Sequence, residues 1–129
     1  MNVLDENIPE HQRQLLRSWR IPVPQIGREA GHKGLQDDAI IALLHQLPRP
    51  SFFTRDDGFY RQALCHPAYC LVYLAVRQYE VASFVRRFLQ HPSFATYAQR
   101  RGTVVRVGHT AVRLWRLHQM TEEVLRWPA

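Results

Sequence analysis

Cys70-Leu71-Val72-Tyr73-Leu74-Ala75-Val76 is the stretch on which the fold turns. A run this short and this apolar is expected of a strand covered on both faces, because a strand with one wet face alternates apolar and polar residues. The next segment reads as helical. Val81, Phe84, Val85, Phe88 and Leu89 fall on one stripe, Arg86 and Arg87 lie off it, and His91-Pro92 closes the element. A buried strand feeding an amphipathic helix is the repeating unit of a parallel α/β sheet.

The same alternation runs back toward the N-terminus. Ser51 to Thr54 reads as a strand, preceded by a helix that carries Ile40, Ile41, Leu43 and Leu44, is capped by Asp37 or Asp38, and ends at Pro48. Asn2-Val3-Leu4 is a brief strand that stops at Asp5. Asn7 and Pro9 then start a helix with Leu15, Leu16 and Trp19 at helical spacing as far as Arg20. Ile21 to Ile26 reads as an edge strand, since Pro22 and Pro24 lack the amide donor a central strand needs, and Gly27 to Gly34 as a loop. Toward the C-terminus a short polar piece through Arg101 reads as helical. Thr103 to Val107 and Ala111 to Leu117 read as two strands joined by Gly108-His109. The expected fold class is therefore α/β, a single domain over residues 1–129, with a mostly parallel central sheet flanked by helices and a C-terminal β-hairpin.

Composition narrows the function. A chain of 129 residues with 46% hydrophobic residues fits one core and rules out a two-domain enzyme, and 22% charged residues exclude a disordered chain. No apolar run approaches the roughly 20 residues of a membrane span. MNVLDENIPE places acids where a secretory signal needs a basic and then an apolar region, so no membrane association and a cytoplasmic location are expected. The net charge is +6, and Lys33 is the only lysine. Residues 1–60 carry seven basic and eight acidic side chains, whereas residues 61–129 carry ten arginines against Glu80, Glu122 and Glu123. Such a surface suits a polyanion such as nucleic acid, and reads equally as a plain solvated arginine surface. Cys65 and Cys70 are too few for a disulfide scaffold or an all-cysteine zinc site and read as reduced thiols, Cys70 in the core. The seven histidines show no zinc spacing, and neither a nucleophile elbow nor a phosphate-binding glycine loop is present.

The five aspartates carry the chemistry that remains. Asp5, Asp37, Asp38, Asp56 and Asp57 all lie at a strand end or a helix start. In a parallel sheet the carboxyl ends of the strands share one edge, where ligands bind in open α/β folds. Carboxylates converging there call for a hard divalent cation, Mg²⁺ or Mn²⁺, and such an ion suits phosphodiester hydrolysis. Each acid also has a structural reading: Asp37 or Asp38 as a helix cap, Asp5 as a cap or turn residue, and Asp56-Asp57-Gly58 as a turn. Glu6 reads as facing solvent or pairing with an arginine.

Three segments carry a resemblance. Val3-Leu4-Asp5-Glu6-Asn7-Ile8-Pro9 resembles the L-L-D-E-N-L-P opening of a family of small prokaryotic PIN-like proteins. Gly34-Leu35-Gln36-Asp37-Asp38-Ala39-Ile40 is similar to its G-x-x-D-E-E-I segment, and Phe53-Thr54-Arg55-Asp56-Asp57-Gly58-Phe59 to its L-T-R-D-x-D-F segment. The resemblance covers roughly the first sixty residues and implies a three-layer PIN-like fold with acidic residues binding Mg²⁺ or Mn²⁺. It further implies an endoribonuclease of the kind found as the toxin of a toxin–antitoxin pair, with a cognate antitoxin as partner. By position, Asp5, Asp37 and Asp56 are the implied metal ligands, with Asp38 or Asp57 positioning water or a second ion. Gly58 stands where the family has its second aspartate, leaving Asp57 to serve from one residue earlier. RNA is the expected substrate, with Arg55, Arg13 and Lys33 as expected phosphate contacts. The alternative expectation is a catalytically impaired module that binds RNA or protein, or a structural subunit of a larger complex. A homodimer is a further expectation, from apolar surface on the amphipathic helix and the terminal hairpin.

Overall fold

The computed structural model describes residues Met1–Ala129. Six strands form one mixed sheet: β1 (Asn2–Leu4), β2 (Ser51–Thr54), β3 (Cys70–Leu74), β4 (Val104–Val107), β5 (Ala111–Trp115) and β6 (Glu123–Arg126). Their spatial order matches their order in the chain. β1 to β4 are parallel, and β4, β5 and β6 are antiparallel. Four helices accompany them: α1 (Glu10–Ser18), α2 (Asp37–Gln46), α3 (Val81–Gln90) and the single turn α4 (Tyr97–Arg100). No helix is long and apolar enough to cross a membrane.

Side-chain alternation along the strands builds two cores, one on each face. Leu4, Phe53, Val72, Val105 and Leu114 stand in register and pack with Leu16 of α1 and with Val81, Val85 and Phe88 of α3. Val3, Phe52, Leu71 and Val104 point the other way, onto Ile40 and Leu44 of α2 and onto Phe59. The apolar stripe of α3 is buried inside the chain, so that helix offers no apolar face to a second copy. Three cation–π contacts trim its rim: Arg86 lies 3.7 Å from the Trp19 ring centroid, and Arg87 lies 4.4 Å from that of Trp127 and 4.9 Å from that of Phe84.

Three expectations need correction. Ile21 to Ile26 does not form a strand. With Pro22 and Pro24 in it, the segment makes only isolated bridges, Ile26↔Ala30 and Leu4↔Gln25, the latter with Leu4 donating to Pro24 O and Ile26 donating to Leu4 O. The chain thereby passes around the outer edge of β1, from α1 on one face to α2 on the other. Secondly, the two strands expected at the C-terminus, β4 and β5, pair antiparallel, but an unexpected third strand, β6, extends them into a meander and completes the sheet. Thirdly, neither Asp37 nor Asp38 caps α2; the cap position belongs to Gln36, which makes no side-chain capping bond.

Phe53 is fully buried and meets Phe88 edge to face at a centroid distance of 5.9 Å. Phe53→Ala is expected to lower the unfolding free energy by about 3–5 kcal/mol, measured by urea titration.

Candidate functional site at the carboxyl edge of the sheet

The parallel strands β1 and β2 end side by side, and Asp5 and Asp56 come directly after them. The Asp5 amide continues the ladder by donating to Phe53 O at 2.9 Å. Thr54, the buried last residue of β2, ties the two loops together: its hydroxyl donates to Asp5 Oδ2 at 2.6 Å and accepts the Asp56 N–H at 3.0 Å. Asp5 Oδ1 accepts the Glu6 N–H at 2.8 Å. Beneath this loop the buried Gln25 amide donates to the carbonyls of Asp5, Glu6 and Ile8 at 3.0, 3.2 and 2.9 Å. Gln25 and Thr54 thus position the first carboxylate; Thr54 lies in the segment that resembles L-T-R-D-x-D-F, whereas Gln25 lies in no motif because it acts through partners distant in sequence.

Burial pushes the Asp5 carboxyl above the usual aspartate range, and the neighbouring charges of Asp56 and Glu6 add to the rise. The hydrogen bonds from Thr54 and from the Glu6 amide act in the opposite direction without cancelling it.

Four of the five aspartates divide between two clefts. Asp5 and Asp56 line one of about 320 Å³, together with Asn7, Ile8 and Arg55. Asp37 and Asp38, in the first turn of α2, line another of about 270 Å³, with Ile41, Phe59, Arg61 and Leu64. Gly58 borders the second cleft and stands between the two sets: a Cβ there would lie 3.0 Å from Asp56 Oδ1 and 3.7 Å from Asp37 Oδ2. Asp57 lines neither cleft. Asp56 is also a turn residue, its Oδ1 accepting the Gly58 N–H at 2.8 Å to cap a single 3₁₀ turn over Asp57–Phe59. No three His, Cys, Asp or Glu side chains come together closely enough to hold a metal ion among themselves. Asp5 and Asp56 are the two carboxylates that share a cleft, and an ion held there could take only those two from the chain, the rest of its shell coming from water or substrate oxygens.

The basic residues expected here have different fates. Arg55 lines the Asp5–Asp56 cleft, its Nε donating to Val76 O at 3.0 Å. Lys33 is exposed on the loop after Gly27. That loop is fastened by Glu6, whose carboxylate accepts the Gly34 N–H at 3.0 and 3.2 Å, so Glu6 neither faces solvent freely nor pairs with an arginine. Arg13 is no phosphate contact: it is buried on α1, where Glu10 at 3.3 Å and Glu29 neutralise its guanidinium.

Comparison with family models, with curated proteins and with solved structures gives no match to this chain.

Because the folded-state pKa of Asp5 is raised, its ionised form weakens the metal-free protein above that pKa, and the penalty vanishes as the pH falls through it. Asp5→Asn is accordingly expected to raise the metal-free Tm at pH 7, with the gain shrinking on acidification, in thermal scans between pH 7 and pH 4.

Proposed function

We propose that this protein is a Mg²⁺- or Mn²⁺-dependent endoribonuclease with a PIN-like three-layer fold. The observation that carries the reading is the pairing of Asp5 and Asp56 in one cleft at the carboxyl ends of adjacent parallel strands, braced by Thr54 and flanked by Arg55. That edge is where an open α/β sheet places its ligands. The similarity of the segments around Asp5, Asp37 and Asp56 to those of PIN-like proteins supports the same reading. In that setting the proposed role is the toxin of a toxin–antitoxin pair in the cytoplasm, partnered by its antitoxin.

A divalent ion at Asp5 and Asp56 would supply an activated water and offset the charge that develops on the scissile phosphate. The chain's own residues do the rest. Thr54 fixes the Asp5 carboxylate by donating to Oδ2, which leaves that oxygen's other lone pair directed elsewhere. Arg55, held by the Val76 carbonyl, supplies positive charge beside the acids. Asp37 and Asp38 stand across Gly58, where they can accept hydrogen bonds from water entering the second cleft.

A second reading, RNA binding without cleavage, is favoured by Gly58. Where the resembling family has an aspartate, this chain has no side chain, and Asp57 does not fill the gap.

Two variants decide between them. Asp56→Asn is expected to abolish Mn²⁺ binding in calorimetry and cleavage of a generic RNA while leaving the folded spectrum unchanged. Wild-type protein that binds no Mn²⁺ and leaves RNA intact would overturn the nuclease reading. Gly58→Asp places a third carboxylate between Asp56 and Asp37 and is expected to tighten Mn²⁺ binding about tenfold.

A further inference from the structure

Strand register sets Thr54, Tyr73, Arg106, Arg113 and Val124 opposite one another in a single row from β2 to β6, on the face of the sheet that bears α2. The row starts at the hydroxyl that holds Asp5 and leads away from the acids. Arg126 shares this face, opposite Ala111. Arg113, Val124 and Arg126 are exposed, and Tyr73 and Arg106 are half-buried.

Of the row's two arginines one is unopposed and one is paired, and His109 beside them pairs with Glu80 at 3.0 Å. Arg55, Arg106 and Arg126 pair with no carboxylate. Arg113 has one partner, Glu122 at 3.2 Å, and that carboxylate also accepts the Tyr60 hydroxyl. A cleft of about 330 Å³ opens at the head of the row, lined by Tyr73, Arg77, Arg106, His109 and Arg55 among others. Arg55 also lines the Asp5–Asp56 cleft, so the basic cleft and the acidic one meet at a single guanidinium.

We propose that this row is the track for a single-stranded RNA, with Arg106, Arg113 and Arg126 on its phosphates and the Tyr73 ring beside its bases, delivering one phosphate past Arg55 to the acids. Neighbouring strands lie about 4.8 Å apart, so arginines at one register position on adjacent strands reach successive phosphates of one strand. An aromatic ring beside them on a sheet face suits unstacked bases, whereas a duplex keeps its bases turned inward. The destination of the strand rests on the nuclease reading; its binding does not.

The test uses the full chain, in chelator, with a short fluorescent oligouridine tracked by anisotropy across a salt series. Arg106→Gln with Arg113→Gln is expected to weaken binding at least about tenfold and to lower the log–log salt slope by about 1.4, the share of two phosphate contacts on a single strand. Arg106→Gln alone, which breaks no ion pair, is expected to give part of that loss. The charge-matched pair Arg17→Gln with Arg101→Gln, both exposed, the first on α1 over the opposite face of the sheet and the second ahead of the amino end of β4, is expected to bind as wild type does. Equal losses from both pairs, no loss from either, or tighter binding of duplex RNA would overturn the track. Cleavage is read separately with Mg²⁺. Wild type that binds through the row without cutting defeats the nuclease reading alone; cutting that is indifferent to Arg106 and Arg113 defeats the track alone.

Discussion

β2 has no exposed residue, and the rest of the molecule answers to that constraint. Phe52 and Phe53 point to opposite faces, so each face must carry its own cover: α2 on one, α1 and α3 on the other. The polar residues at its two ends must find partners because an unpaired buried hydroxyl costs about 1–3 kcal/mol. Ser51 Oγ accepts from the buried Arg100 Nε at 3.1 Å at the amino end, and the Thr54 hydroxyl takes Asp5 at the carboxyl end. The contact that positions the candidate ligand is thus also the one that lets a threonine end a fully buried strand.

The same need for partners explains why the acids do not gather into one cluster. Asp56 commits Oδ1 to the Gly58 amide, and the resulting turn separates the cleft at the end of β1 and β2 from the cleft at the start of α2. Gly58 allows that turn to sit close under both carboxylates without adding a third charge. Asp5 bears the penalty of its burial together with the charges of Asp56 and Glu6 beside it.

Much of this is legible in the sequence where a residue's neighbours in the chain are also its physical environment. The unbroken apolar run at Cys70 and the stripe from Val81 to Leu89 each encode their own burial, and an acid directly after a strand sits at that strand's end wherever the strand lies. Other features depend on partners remote in sequence. Arg13 looks like a free surface cation until Glu29 is folded against it, and Gln25 carries no local sign of the three carbonyls it serves. The segment Glu123–Arg126 is too short to declare itself, and becomes a strand because β5 presents an unpaired edge. The basic row is invisible in the sequence for the same reason: Tyr73, Arg106 and Arg113 are neighbours only through register.

Strand order that matches chain order has a consequence for synthesis on the ribosome. The sheet grows at one edge as the chain emerges, each new strand meeting the one made before it. The first pairing is the most demanding, because Asn2 must wait for Ser51 and that long closure carries the largest entropic penalty. The most local pairings, β4 with β5 and β5 with β6, are synthesised last. A nascent chain therefore holds its N-terminal segment unpaired the longest, and the piece so exposed carries the first aspartate of the site.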